Sequence, residues 1–239
     1  MKSTKLVTIV TVSATIALMA VAAAATETGA NPDDALQQLT AGNQRFAGAH
    51  MTHPHESADR RAELANAQHP FAVVISCSDS RVSPEIVFDE GIGDLFVIRT
   101  AGNRLDDIVL ASVEYAVEHL GTNLIVVLGH ERCGAVTAAI EASKHGSQGG
   151  HAAAHSHVPV LMHIMQDAVK KAKDEPGDRV DNTVVENVRI VTAGLPQKSQ
   201  LVAERMKAGT LKVVGMRYDL DTGVVTPVEA PAPSGGAYK

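Results

Sequence analysis

The chain contains no tryptophan, and only 3% of its 239 residues are aromatic. A core built on large rings is therefore excluded. The interior must be filled by Val, Ile, Leu and Ala, which the 45% hydrophobic content supplies. Cysteine is nearly as scarce. The two present suffice for one disulfide or part of a metal site, and are too few for a disulfide framework. Positive charge is in deficit: 21 Lys and Arg stand against 27 Asp and Glu, a formal net charge of −6. No stripe of basic residues offsets this, which argues against a nucleic-acid partner. At this length one medium-sized domain is expected.

Long apolar runs are also rare, and the exception lies at the N-terminus. Lys2 and Lys5 precede a run from Leu6 to Val21, and Ala22-Ala23-Ala24-Ala25 follows it. A short positive region, an apolar stretch and small residues form the pattern of a cleaved secretory signal. The expectation is that residues 1–25 are removed and the protein is exported, to a bacterial periplasm, without stable membrane association afterwards. Loss of Lys2 and Lys5 takes the charge to 19 − 27 = −8. An uncleaved anchor is the competing reading, since the run approaches the roughly 20 residues that span a bilayer. Its Ser and Thr residues and its alanine end favour cleavage. At the other end, residues 229–239 are rich in Pro, Ala, Gly and Ser and read as a flexible tail. The folded domain is thus expected over 26–228.

Both cysteines sit in short polar runs. One is Cys77-Ser78-Asp79-Ser80-Arg81, and the other, some fifty residues on, is His130-Glu131-Arg132-Cys133. Thiolate and imidazole are zinc ligands, and a catalytic zinc takes three protein ligands and leaves a fourth position to water. Cys77, His130 and Cys133 make up such a set, with the carboxylate of Asp79 and the guanidinium of Arg81 alongside. In an oxidising compartment a Cys77–Cys133 disulfide is the alternative. A disulfide has no use for a histidine three residues from one cysteine, nor for an acid and a base beside the other.

The pattern along the chain alternates helices and strands. Pro32-Asp33-Asp34 opens a helix to about Phe46, and a second covers roughly 57–67. Three apolar runs, Phe71–Ser76, Leu95–Ile98 and Asn123–Leu128, read as strands, the first and third buried on both faces as in a parallel sheet. Helices are expected from Ser83, from Asp106 to Leu120, and from Cys133 to Ser143. Further helices are expected over 158–173, 182–193 and 196–207. Leu211–Met216 and Val224–Thr226, joined by a turn at 219–223, form a hairpin. The fold class is therefore α/β, a central mostly parallel β-sheet flanked by helices with an antiparallel C-terminal hairpin. Cys77 and His130 then lie at the carboxyl ends of strands, where open α/β sheets bind ligands. Cys133 lies at a helix N-terminus, which favours a thiolate.

Four stretches together resemble the β-class carbonic anhydrases: Cys-Ser-Asp-Ser-Arg-Val at 77–82, Gly-Asp-Leu-Phe-Val-Ile-Arg at 93–99, Ala-Gly-Asn at 101–103, and His-Glu-Arg-Cys-Gly-Ala-Val at 130–136. Tyr218-Asp219 and Thr222-Gly223 add to the likeness, which spans about Leu36 to Pro227. The resemblance implies reversible hydration of carbon dioxide to bicarbonate and a proton by a zinc-bound hydroxide. It implies Zn2+ on Cys77, His130 and Cys133, with Asp79 and Arg81 as an orienting dyad and Asp79 able to become the fourth ligand in an inactive state. It also implies substrate-facing roles for Gln68, Phe96, Tyr115 and Gly134, some of them across a subunit boundary in a homodimer or tetramer.

Two departures stand out. A subset of the family carries a noncatalytic bicarbonate site with a tryptophan three residues before the first zinc cysteine; here that position is Val74. That form of regulation is expected to be absent. Thr100 stands where asparagine is common. Two other functions share the motifs: hydrolysis of carbon disulfide or carbonyl sulfide on the same scaffold, and a noncatalytic zinc-binding protein. The dyad argues against the second. His145, His151, His155 and His157 crowd a Gly/Ala-rich stretch that reads as a solvated loop, with a second metal site or a proton relay as the other readings. Glu131 and Arg132 read as supporting or surface groups.

Overall fold

The computed structural model describes residues 31–144 and 157–229. The expected signal segment, His145, His151 and His155, and the tail beyond 229 lie outside the described residues.

Five strands form one sheet in the order β2-β1-β3-β4-β5: β1 (Ala72–Cys77), β2 (Leu95–Thr100), β3 (Leu124–His130), β4 (Lys212–Tyr218) and β5 (Val225–Val228). The pairs β1–β2, β1–β3 and β3–β4 are parallel and β4–β5 is antiparallel. The mostly parallel sheet with a terminal hairpin thus agrees with the sequence pattern. Every residue of β1 and β3 is buried, as continuous apolar runs demand when both faces are covered.

Alternation along these strands divides the core. Val73, Ile75, Ile125 and Val127 face a layer that includes Val109, Val113, Val188 and Leu195. Ala72, Val74, Leu124 and Val126 face the other side, with Ala35, Leu39, Val87 and Phe88. The helices supplying these layers are α1 (Pro32–Ala47), α3 (Pro84–Val87), α4 (Asp107–His119) and α8 (Arg179–Lys198). With no tryptophan, both layers depend chiefly on aliphatic burial, with Phe88 the largest fully buried side chain, each fully buried large side chain being worth about 1.5–3 kcal/mol.

Helix starts follow local chemistry. Asn31 caps α1 by accepting from the Asp33 amide, with Pro32 in the first turn. Asp106 caps α4 through the Val109 amide. Four expected helices are redrawn. The segment at 57–67 is shorter, α2 (Ala58–Glu63), capped by Ser57 and ending at Leu64. The stretch 158–173 is divided into α6 (Val158–Ile164), α7 (Gln166–Lys171) and a 3-10 turn at Ala172–Asp174. The break falls at Met165, whose side chain is fully buried. The break expected before Pro196 lies later. α8 carries Pro196 inside its last turn, giving up the hydrogen bond that an N–H there would donate to the Thr192 carbonyl, and stops at Ser199. Ser199 then caps α9 (Gln200–Lys207) by accepting from the Val202 amide. α5 (Gly134–Lys144) follows β3.

The order 2-1-3 creates the crevice. The chain leaves β1 toward β2 and leaves β3 toward β4, so their connections part at the carboxyl ends of these two neighbours. That is the topological switch point at which such sheets bind ligands.

Candidate metal centre

Cys77 ends β1 and His130 ends β3, so the sheet itself brings them together. Cys133 reaches them because Glu131 and Arg132 turn the chain back, Arg132 in the left-handed region at φ 48°. That turn is held from three sides. The Glu131 amide donates to the Tyr218 carbonyl, the Glu131 carboxylate accepts from Arg217 and the Leu220 amide, and Arg132 grips Asp221 with two bonds of 2.8 Å. The two residues between the ligands therefore support the loop. Glu131, Asp219 and Asp221 also approach one another, and these carboxylates are paired with Arg217 and Arg132.

The donor atoms of Cys77, His130 and Cys133 lie within 4.8 Å of one another, and all three residues are buried, at 4%, 0% and 2% exposure. The sulfurs are 4.0 Å apart and the cysteines are free. A disulfide needs about 2.05 Å, whereas tetrahedral zinc with Zn–S bonds of about 2.3 Å sets its thiolates roughly 3.8 Å apart. The imidazole is oriented for the same purpose. His130 Nδ1 donates to the Glu131 carbonyl at 2.8 Å, which leaves Nε2 as the acceptor nitrogen. Nε2 is fully buried and has no hydrogen-bond partner among the described residues, a costly arrangement unless a cation takes its lone pair. The donor set fits zinc.

The thiols divide their proton unequally. The Cys133 thiol, against burial and with help from His130 and the Gly102 amide, draws Cys77 well below the ordinary thiol range. Cys133 is pushed up by its bond to Cys77, then by burial and by the charge on Cys77, although the Val136 and Ala135 amides at the start of α5 oppose this. A dication removes the conflict by accepting both as thiolates.

Asp79 stands beside the group without joining it. Arg81 donates through Nε to Oδ1 at 2.9 Å and through Nη2 to Oδ2 at 2.8 Å, and its backbone amide donates to Oδ1 at 3.0 Å. These bonds hold the Asp79 carboxyl far below the usual carboxylate range. Oδ2 lies 3.9 Å from His130 Nε2. Arg81 also reaches the Arg132 carbonyl at 3.3 Å, tying the two motifs. Gly134 opens α5 with clear space where a Cβ would stand.

Sequence reasoning had not singled out Arg99 and Gly102. Arg99 donates to the Cys77 and Asp79 carbonyls at 3.0 and 2.7 Å, fixing the backbone of the first motif, and the Gly102 amide donates to Cys77 Sγ at 3.3 Å. Both lie in stretches that carry the family likeness. Thr100, the departure, closes the turn after β2: its carbonyl accepts from Asn103 and its hydroxyl from the Arg104 amide.

Three proposed substrate residues lie elsewhere. Gln68 is exposed and precedes β1, so the length of that strand, about 3.3 Å per residue, separates it from Cys77. Phe96 is in register with Val73, near the same far end. Tyr115 on α4 is 47% exposed and packs on Phe96, ring centroids 6.3 Å apart. Phe96 lies in β2, an edge strand of the described sheet, with Tyr115 packed on it.

A sequence model of the carbonic anhydrase family matches residues 72–225. "Carbonic anhydrase 2" of Mycobacterium tuberculosis is 42% identical over 193 residues, covering 81% of this chain and 91% of that protein. A carbonic anhydrase of Mycolicibacterium smegmatis is 40% identical over 195 residues, 82% and 92% of the two chains. Among solved structures, the β-carbonic anhydrase CcaA is similar with a TM-score of 0.62 at 27% identity, covering 81% of this chain and 95% of that one. A tetrameric β-carbonic anhydrase from Sordaria macrospora shares the fold, with a TM-score of 0.62 at 22% identity and coverage of 82% and 97%.

Proposed function

The chain belongs to the β-class carbonic anhydrases, and from that premise we propose that it interconverts carbon dioxide and bicarbonate with zinc held by Cys77, His130 and Cys133. The observation that carries this reading is the buried, unpartnered Nε2 of His130 converging with two sulfurs 4.0 Å apart. When bound, zinc activates water for attack on carbon dioxide near neutral pH.

The chain's own residues supply the rest. Asp79 remains a carboxylate and can only accept hydrogen bonds. It takes the proton of the attacking water's O–H as a hydrogen bond, which turns a lone pair toward the substrate. Arg81 fixes that carboxylate through both oxygens and keeps it ionised. Gly134, at the mouth of the helix that begins beside Cys133, offers a backbone N–H to substrate oxygen. In this arrangement Asp79 would become a metal ligand only by leaving Arg81.

Gln68, Phe96 and Tyr115 line the substrate path of a neighbouring subunit in a homodimer or tetramer. Phe96 on the edge strand β2 with Tyr115 packed on it, and exposed Gln68 ahead of β1, all away from their own Cys77, support this. The functional domain covers 26–228. The N-terminal pattern of Lys2, Lys5 and the run to Val21 supports export to a periplasm. Among the described residues no helix is long and apolar enough to cross a membrane. Stopped-flow hydration of carbon dioxide by the zinc-loaded protein tests the activity: saturable, zinc-dependent hydration is expected, and a metal-loaded protein no faster than buffer would overturn the proposal.

A further inference from the structure

The turn between β2 and α4 touches the first thiolate and is held from behind by a helix residue more than eighty positions away. Gly102 is the contact. Its amide donates to Cys77 Sγ at 3.3 Å, and its carbonyl accepts from Asn187 Nδ2 at 2.9 Å. Gly102 adopts φ +74°, a conformation that calls for glycine, and the space a Cβ would take is filled by the Met165 methyl, which it would meet at 1.7 Å.

Asn187 lies on the buried face of α8 and is 2% exposed. Its Oδ1 accepts from Arg104 Nη1 at 2.9 Å. The amide orientation follows from its partners: a guanidinium can only donate and a carbonyl can only accept. Asn187 therefore spans the turn, fixing Arg104 with one side-chain atom and Gly102 with the other. A buried polar side chain carries a desolvation cost that only such bonds offset.

We propose that Asn187 is a positioning residue for the metal: by holding the Gly102 carbonyl it keeps the Gly102 N–H on Cys77 Sγ. This rests on the reading that Cys77, His130 and Cys133 bind zinc. An N–H directed at a ligating thiolate in a buried site stabilises negative charge on sulfur, so less is donated to the metal. Without the Asn187 tether the turn relaxes: the Cys77 thiolate donates more strongly, which moves the charge-transfer energy, but it is no longer held in place, and that loss of placement weakens metal binding. Removing such outer partners typically costs about 10–100-fold in metal affinity or activity.

The test replaces zinc by Co2+ in the full chain and compares wild type with Asn187→Ala and Asn187→Asp. Aspartate is near in size and still accepts from Arg104, but sets an oxygen against the Gly102 carbonyl. Circular dichroism confirms folding, and Asn187→Asp decides the matter should Asn187→Ala not fold. The expected result is a shift of the thiolate-to-cobalt charge-transfer band to longer wavelength in the variants, with Zn2+ affinity, measured by chelator competition, lower by about 10-fold or more. Folded variants with the wild-type band and wild-type affinity would overturn the inference and leave the metal reading intact. A wild-type chain that takes up neither cobalt nor zinc would overturn both.

Discussion

Arg81 holds both carboxylate oxygens of Asp79, through bonds of 2.9 and 2.8 Å, while the same carboxylate stands 3.9 Å from His130 Nε2. An acid placed beside the proposed metal ligands is thus held away from them by a guanidinium two residues along the same turn. Arg81→Ala should leave zinc content near wild type and lower hydration at least about 100-fold, because orientation fails while the ligands remain. Metal analysis beside stopped-flow rates checks this. An Arg81→Ala enzyme within a few-fold of wild type would show that the pairing is incidental.

The metal site predicts stoichiometry and thiol state. The purified protein should hold about one zinc per chain. Prolonged chelation should abolish activity, and added Zn2+ should restore it. Intact mass with thiol alkylation should find both cysteines reduced in the active protein. A Cys77–Cys133 disulfide in active, metal-loaded protein would contradict the ligand assignment.

Activity should rise with pH, because water must ionise before it attacks. Two thiolates neutralise the charge of a dication, so the apparent pKa should lie above about 7. A rate profile from mildly acidic to mildly basic pH measures this, and a flat or falling profile would contradict it. Asp79 does not set the rise, since Arg81 keeps it ionised far below that range.

Glu90 predicts a separate pH effect, on stability. It is buried at 7% exposure, Oε2 accepts from Gln38 at 3.1 Å, and Oε1 has no partner. Burial raises its carboxyl from the usual 4.5 to about 7. Between those values the folded chain holds more protons than the unfolded one, so stability falls as pH rises through that window. Glu90→Gln cannot ionise. It should raise the melting temperature by a few degrees near pH 8, corresponding to on the order of 1–2 kcal/mol, and change little near pH 4. Equal melting shifts at both pH values would exclude the burial argument.

Much of this architecture was legible in the chain. β1 and β3 were readable because strands buried on both faces leave unbroken apolar runs, and their ends carry the two motifs. The helix breaks were less so. Pro196 signals a stop, yet α8 runs two residues past it and the capping hydroxyl of Ser199 marks the boundary. Met165 interrupts a helix for a tertiary reason, its burial against Gly102, which no local pattern reports. Asn187 gives no signal in the sequence, since its partners lie more than eighty residues earlier. For Gln68, Phe96 and Tyr115 the motif gives the role, but only the topology places them at the far end of their own sheet.

That placement predicts an obligate assembly. Sedimentation should find the active species to be a dimer or larger, and monomers obtained by dilution should be nearly inactive. A fully active monomer would return those three residues to ordinary packing.

The most direct test of the central claim is stopped-flow carbon dioxide hydration by zinc-loaded wild type and Asp79→Asn, with zinc measured in the same samples. The account predicts zinc-dependent hydration in wild type, and in Asp79→Asn full zinc with a rate reduced at least about 100-fold. Hydration at wild-type rates in Asp79→Asn, or none above buffer in fully loaded wild type, would contradict it.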